Sequence, residues 1–384
     1  MSPDSSSVAS PAQSIQEGRT LTAHVDLRQL VRNFQHLRRV SGGVGILPVV
    51  KANAYGHGAA PVARALVSAG AEGFCVATLQ EALDLREDGL LAPILVFGSL
   101  RPEQFPVAEA NHLDLAVVSA DYLRELAAWQ PRAAFGLHLN LDTGMGRSGI
   151  LLDDLGACLD AIHHLQGRIR GVMGHFSASD EPDLRFAGIQ RRRFEGALAQ
   201  LRDAGLTPPM IHHANSAGYL RGLTGGDTHA RCGIALYGLS DLGESEAAGL
   251  KPILELTAEV TRAVRIPAGT TVGYGSTYVA PRPLALATLN CGYADGYPRA
   301  LSNRAVVGFR GRTYPVVGKV SMDQLTVALP DTVLIRPGDR MTLLSRNPEE
   351  PHSVRNTARL LSTIPYEVTS ALNRRVHHDH ASSS

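Results

Sequence analysis

The sequence predicts an α/β protein: a (β/α)8 TIM-type barrel followed by a mostly β C-terminal domain. Three observations support that fold class. Short apolar runs alternate with amphipathic ones from about residue 22 to about residue 245. After about residue 247 helical periodicity nearly vanishes, and strand-like runs are broken by Pro and Gly. Lys51, Arg147, His175 and the Asn215–Ser216 pair each fall just after an expected strand, which is where a parallel barrel carries its chemistry. Pattern alone leaves an open doubly wound sheet as the alternative.

The elements follow in order. "LTAHVDL" reads as a strand and "RQLVRNFQHLRRV" as an amphipathic helix. "GILPVVK" is the next strand and "APVARALVSAG" its helix; "EGFCVAT" is followed by "LQEALDLREDG", a helix with a stop glycine. "APILVFG" leads to "FPVAEANH", and "LDLAVVS" to "ADYLRELAAW". "FGLHLNLD", "IRGVMGHF" and "MIHHANS" continue the strands, with the long helix "DLRFAGIQRRRFEGALAQLRDAG" between the last two. Such alternation implies βα units and a parallel sheet. In the second region "LELTAEVTRAVRI", "TTVGYGSTYVA", "LALATLNCGY", "RAVVGFRGRTYPVVGKVSMDQLTVAL" and "DRMTLLS" are strand-like, and a helix returns only in "SVRNTARLLSTI". The expected organisation is a disordered tail at 1–20, a barrel over 21–247, a β domain over 248–378 and a frayed tail at 379–384. No internal repeat at a fixed period is visible.

Bulk composition narrows the class. The chain has 384 residues, 44% hydrophobic and 19% charged, with a formal net charge of +1. Nothing there pulls toward nucleic acid or an acidic membrane surface. The densest basic run, Arg191 to Arg193, lies in a helical pattern and reads as a solvated face. Four cysteines (Cys75, Cys158, Cys232, Cys291) form no C-x-x-C pair, which disfavours a disulfide scaffold or zinc ribbon and fits a reducing cytosol. The first 20 residues lack a basic n-region and an apolar h-region. No run approaches the roughly 20 apolar residues of a membrane helix. A cytoplasmic protein is the expectation.

The chemistry concentrates in a few stretches. In "VVKANAYGHG" (residues 49–58) an apolar strand ends on Lys51. The bland reading is a lysine that snorkels to solvent. The functional one is an amine whose charged form is disfavoured by apolar walls, a nucleophile for a carbonyl; a Schiff base with pyridoxal phosphate is the commonest use of such a lysine. "ANSAG" (214–218) and "RCGIALYG" (231–238) offer a hydroxyl and Gly-rich backbone N–H groups for a phosphate. No P-loop or G-x-G-x-x-G accompanies them. "ANSAG" also resembles a hydrolase elbow, but no oxyanion motif or acid partner follows in order. "NLDTGMGRSGI" (140–150) sets Arg147 among three glycines, either an exposed turn arginine or a guanidinium for a carboxylate or phenolic oxygen. "VGYGSTY" (272–278) and "CGYADGYPR" (291–299) crowd four tyrosines among glycines. The "HH" pairs at 163–164 and 212–213 lack the spacing of a metal site.

Together, "VVKANAYGHG", "LDTGMGRSG", "GHFSASDE", "HHANSAG", "RCGIALYG", "VGYGSTY", "GYADGYPR" and "GKVSMDQ" closely resemble alanine racemase, a pyridoxal-phosphate enzyme of bacteria. The match runs over about residues 20–377 with the motifs in family order. The resemblance implies a cofactor-bearing barrel, a C-terminal β domain and a homodimer with shared active sites. It further implies that Lys51 holds the cofactor and serves the D-alanine face, while Tyr274, contributed by the other subunit, serves the L-alanine face. His175 and Arg231 match the cationic neighbourhood the tyrosine needs, and Arg231 also faces the pyridine nitrogen. Phosphate contacts fall on Tyr55, Ser216 and the backbone of Gly233 and Ile234, next to Asn215. Arg147 matches a contact to the phenolic oxygen and the substrate carboxylate. Met322 offers its N–H to that carboxylate, with Asp323 beside it, and Tyr293 narrows the entrance. Asp180, Arg299 and Lys319 match the polar access corridor, Lys319 standing for a usual arginine.

Two positions depart from the family pattern. Asn140 stands where many members carry a carbamylated lysine, and we expect an anion such as chloride to take the carbamate's place between Asn140 and Arg147. Arg374 stands where some members have a tyrosine reaching the phosphate. The alternatives to alanine racemisation are a broader racemase for serine or basic amino acids, disfavoured by the missing export signal, a non-catalytic pyridoxal-phosphate-binding protein, and a catalytically dead paralogue. Related decarboxylases would lack "VGYGSTY".

Overall fold

The structure, a computed structural model, describes residues 21–40, 42–129, 135–240, 242 and 247–380. The expected tail at 1–20 and residues 381–384 lie outside those. Two compact units divide the chain between Ile253 and Leu254, rather than after residue 247; residues 21–25 belong with the C-terminal one.

In the first unit the barrel strands are Gly45–Pro48, Phe74–Val76, Ile94–Val96, Leu113–Val117, Leu137–Asp142, Ile169–Met173, Met210–His212 and His229–Cys232, with a two-residue strand Ile150–Leu151 beside Leu137–Asp142. Neighbours pair in parallel from Phe74–Val76 through to Met210–His212. His229–Cys232 pairs in parallel with Gly45–Pro48. Parallel bridges Val49–Cys75 and Asn215–Arg231 complete the ring. The eight strands therefore close a barrel, and the open-sheet alternative falls. Every residue of Phe74–Val76 and Leu113–Val117 is buried, as expected of strands covered on both faces. Helices Leu27–Val40, Ala59–Ser68, Leu79–Glu87, Ala120–Trp129 and Arg185–Asp203 form where the apolar period is 3.6. Among the described residues, no helix is long and apolar enough to cross a membrane.

The strand count needs one correction. "LTAHVDL" is not the first barrel strand: Leu21–Val25 pairs antiparallel with Leu254–Ile266. Gly45–Pro48 therefore opens the barrel, and His229–Cys232, read in the sequence only as the start of a phosphate loop, closes it. A five-residue buried strand says nothing local about which sheet it joins; the choice rests on a partner far along the chain.

In the second unit Leu254–Ile266 pairs with Leu284–Leu289 toward one end and Arg340–Leu344 toward the other. Leu325–Pro330, Arg312–Val317 and Val306–Phe309 complete an antiparallel ring. His377–Asp379, whose last residue begins the tail expected to fray, pairs in parallel with Leu21–Val25. There the His24 Nδ1 lies 3.1 Å from a carboxylate oxygen of Asp379. Thr271–Val272 and Tyr278–Val279 form a separate hairpin, seated on an apolar cluster of Val272, Ala280, Leu284, Leu286, Val317 and Ala328.

Candidate active site

Lys51 opens a short turn, Lys51–Gly56, whose Ala52, Asn53, Ala54 and Tyr55 have φ of 50°, 51°, 54° and 55°. Four consecutive non-glycine residues in the left-handed region cost about 1–2 kcal/mol each. Surrounding groups must hold them, and they are visible. Ala54 N–H donates to Val50 O at 2.8 Å and Gly58 N–H to Asn53 O at 2.9 Å. The Asn53 side-chain oxygen accepts from Ala59 N–H at 2.8 Å. Glu81 is the main brace. One of its oxygens accepts from Ala52 N–H at 2.7 Å; the other accepts from Ala77 N–H at 2.7 Å and Thr78 N–H at 3.1 Å, completing a capping box on the next helix. Behind the turn the His57 ring stacks on Tyr237 at 4.5 Å, and the Tyr237 hydroxyl donates to Val49 O at 2.9 Å.

The turn aims two side chains. Burial, followed by the charge on Arg147, lowers the Lys51 amine below the usual lysine value; Glu81 and Cys75 oppose this. Tyr55, also buried, presents its hydroxyl over Gly233, where an added Cβ would overlap it. Gly233 N–H donates to Ser216 Oγ at 3.0 Å. Ser216 starts the helix Ser216–Leu220, capped by Asn215, whose side-chain oxygen accepts from Gly218 N–H at 2.9 Å. Tyr55, Ser216 and Gly233, with Ile234 next in the chain, thus surround one small polar niche.

Arg231 is 3% exposed. Its guanidinium donates to the carbonyls of Gly174, His212 and His213, to His212 Nδ1 at 2.8 Å and to His175 Nδ1 at 3.0 Å. Burial and the charges of Arg231, Arg147 and Lys51 hold His175 well below the usual histidine value. His175 is therefore a neutral imidazole that accepts at Nδ1 and carries its proton on Nε2. The positive charge around it comes from Arg231, Arg147 and Lys51, and His175 joins that set as an acceptor for the Arg231 guanidinium.

Asp142 builds the glycine loop before Arg147. Its carboxylate accepts from the N–H groups of Gly144 and Met145, both at 2.9 Å, and of Gly146. Arg147 itself is exposed. Asn140 is buried, and its amide donates to Ser148 Oγ at 3.2 Å. Asp180 is exposed, beside Ser179, whose hydroxyl donates to Asn215.

The second unit gathers the other expected residues. Tyr274 starts a turn at the hairpin tip, between Gly273 and Gly275, both with positive φ, and is 72% exposed. A Cβ on Gly275 would lie 3.3 Å from Lys319 Nζ, which places Lys319 against this turn. Tyr293 N–H donates to Ser321 O and Ala294 N–H to Met322 O, each at 3.0 Å, so the two turns holding Tyr293 and Met322 are stacked. Arg375 lies 3.2 Å from buried Asp295 and also pairs with Asp323. Arg299 and Arg374 are exposed; it is Arg375, not its neighbour, that makes the ion pairs. Sequence reasoning missed Glu81, Asp142, His212 and Arg375. The T-x-x-E spacing at Thr78 to Glu81 was the available signal for the first; the rest became visible only through contacts across the fold.

Residues 25–241 match the family description "Alanine racemase, N-terminal domain" and residues 253–380 "Alanine racemase, C-terminal domain". An alanine racemase of Carboxydothermus hydrogenoformans is 38% identical over 367 residues, covering 93% of this chain and 98% of that protein. One of Symbiobacterium thermophilum is 39% identical over 365 residues, covering 92% and 95%. Among solved structures, alanine racemase from Bartonella henselae with covalently bound pyridoxal phosphate superposes with a TM-score of 0.85 at 29% identity, covering 94% of this chain and 99% of that one.

Proposed function

The chain belongs to the alanine racemase family, and from that premise we propose that it interconverts L-alanine and D-alanine with pyridoxal phosphate. The observation that carries the reading is the pairing of a depressed Lys51 amine with the Tyr55–Ser216–Gly233 niche at the same barrel mouth. These residues fit the cofactor. A Cβ at Gly233 would fill the niche, and a lowered pKa raises the fraction of neutral amine that attacks an aldehyde. Lys51 would hold the cofactor covalently. Tyr55, Ser216 and the N–H groups of Gly233 and Ile234 would hold its phosphate, and Arg231 would face its ring nitrogen. When bound, pyridoxal phosphate draws electrons from the Cα–H bond of an attached amino acid and so acidifies it.

The protein supplies the proton traffic. Inversion needs a proton removed from one face of Cα and returned to the other, which two opposed bases do and one does poorly. Lys51 serves the D-alanine face, its lowered pKa favouring the neutral amine. Tyr274 serves the L-alanine face. Its exposure at a hairpin tip suits a residue that reaches into the partner's site in a homodimer. Arg231 stays protonated and would donate to the ring nitrogen of bound cofactor without yielding a full proton, which would limit charge delocalisation and side reactions. Arg147 and the Met322 N–H hold the substrate carboxylate, Asp323 and Tyr293 shape the pocket, and Asp180, Arg299 and Lys319 line the approach. Arg374 is exposed beside the Arg375 clamp in the second unit. A chloride between Asn140 and Arg147 orients the guanidinium; anomalous scattering that shows only water there sinks that detail. The enzyme is cytoplasmic and supplies D-alanine for peptidoglycan.

Borohydride reduction of the holoenzyme, followed by peptide mapping, should label Lys51; label on any other lysine overturns the assignment. L-alanine in deuterium oxide should lose optical rotation while its Cα exchanges. A panel of L-amino acids in the same assay tests the preference for alanine over serine and basic substrates.

A further inference from the structure

The interior of a parallel barrel is ordinarily filled by branched apolar side chains. Below Arg231 this one carries a polar column. Arg231 NH1 donates to His212 Nδ1 at 2.8 Å. His212 Nε2 lies 2.7 Å from His138 Nδ1. His138 Nε2 faces Asp114 Oδ2 at 3.7 Å. The other Asp114 oxygen accepts from Gly136 N–H and Arg170, both at 2.9 Å. His212, His138 and Asp114 are 0%, 2% and 5% exposed. Arg231 belongs to the catalytic mouth, whereas Asp114 and Arg170 are second in their strands, at the opposite end. Two glycines make room for the column: a Cβ at Gly171 would overlap the His138 ring, and one at Gly136 would overlap Asp114 and Arg170.

The donors fix a direction. Arg231 can only donate, so His212 accepts at Nδ1 and carries its proton on Nε2. That proton goes to His138 Nδ1, so His138 is also protonated on Nε2, toward the carboxylate. Burial and the charge of Arg231 hold His212 well below the usual histidine value, consistent with a neutral link. Among the described residues, no carboxylate lies within ion-pair distance of the buried Arg231; nearby Asp227 pairs with Arg191 at 2.8 Å. Asp114 stands at the far end of the column as the anion that the two imidazoles connect to Arg231.

We propose that His138 and Asp114 are positioning residues for the cofactor: through His212 they lock the orientation of Arg231 and its donation to the ring nitrogen. The proposal rests on the reading that Arg231 faces that nitrogen. Asp114→Asn is the sharpest probe. Its amide oxygen stays with Gly136 N–H and Arg170, so its NH2 meets His138 Nε2. That reverses both imidazoles and sets a His212 Nδ1–H against an Arg231 N–H. His138→Leu cuts the column. His138→Gln preserves its direction, accepting from His212 and donating to Asp114.

The experiment measures four quantities for each variant: pyridoxal phosphate affinity by titration of the apoprotein, the visible absorption of the holoenzyme, kcat and KM for alanine, and melting temperature. Asp114→Asn and His138→Leu should weaken cofactor binding and lower kcat by about tenfold each, with a smaller change in KM and a shifted visible band. His138→Gln should recover most of that loss. Unchanged affinity, band and kcat in Asp114→Asn and His138→Leu overturn the proposal, as do losses that follow melting temperature and are not recovered in His138→Gln. Should either variant fail to fold, nitrogen NMR of the histidine-labelled wild-type holoenzyme decides: His138 and His212 both protonated on Nε2 support the column, and either on Nδ1 refutes it. Arg231→Lys is the control. If it leaves affinity and band unmoved, the reading of Arg231 itself fails; if it moves them and Asp114→Asn does not, only the column fails.

Discussion

Lys51 and Tyr274 are the two bases of the proposed reaction, and the protein builds their surroundings in opposite ways. Lys51 leaves a closed parallel barrel through a left-handed turn braced by Glu81, Asn53 and the His57–Tyr237 stack. Its pKa is lowered chiefly by burial. Tyr274 sits on the tip of a two-stranded hairpin between glycines and is largely exposed. A base that must be uncharged needs desolvation, which the barrel supplies within one chain. In the proposed dimer, a base that meets its substrate at a subunit boundary has to project outward, and its own unit supplies a hairpin stalk on an apolar cluster.

Breaking the two halves should produce different failures. Lys51→Ala removes the covalent anchor and one base together, and racemisation should fall by at least on the order of 10⁴-fold. Tyr274→Phe removes one base, a loss of about 10²–10⁴-fold. Because the two enantiomers are equal in free energy, the loss in kcat/KM must be the same in both directions. The asymmetry belongs to proton exchange: Tyr274→Phe should still exchange the Cα proton of D-alanine in deuterium oxide and lose that of L-alanine. Exchange of both enantiomers at wild-type rates would end the two-base scheme.

Acid should unfold the Lys51 side first. His175 and His212 lie well below the usual histidine value, and His213 is lowered to about 2, all chiefly by burial. A depressed folded pKa means the unfolded chain binds the extra proton, so stability is complete above about pH 6.5 and declines as pH falls toward the folded values. The slope reaches roughly 1.4 kcal/mol per pH unit for each histidine. Urea midpoints at pH 7 and pH 5, followed by proteolysis of residues 26–253 against 254–380, should show the barrel unit weakening first; equal sensitivity in both units contradicts this. Gly233→Ala should push the Tyr55 hydroxyl out of its niche and weaken pyridoxal phosphate binding by roughly 10–100-fold, with little change in melting temperature. Affinity within twofold of wild type would mean the niche does not hold the phosphate. The smallest effect tests the strain. Ala52 is exposed in the left-handed region, so Ala52→Gly should be neutral or stabilising by up to about 1 kcal/mol. A loss of more than that in urea titration would show that the turn is not strained there.

Much of this was legible in the chain itself. Barrel helices such as Leu27–Val40 and Arg185–Asp203 announce themselves by period, and the motif residues stand at strand ends where the fold places them. Three features were not legible. Leu21–Val25 is identical in pattern to a barrel strand, and only pairing with residues 254–258 assigns it elsewhere. "ANAY" contains no glycine, so no local rule predicts four left-handed residues; contacts from Glu81 and Tyr237 impose them. His175, beside three motif cations, is neutral because burial and charge crowding outweigh its intrinsic basicity.

The sequence by itself determined the class of fold, the order of elements and the identities of the reactive groups, because periodicity and residue chemistry are local properties. Tertiary structure alone decided which strand closes the barrel, which way the Lys51 turn winds, the protonation of its histidines and the column beneath Arg231. Those depend on hydrogen bonds and desolvation between residues far apart along the chain, and no local pattern encodes such contacts.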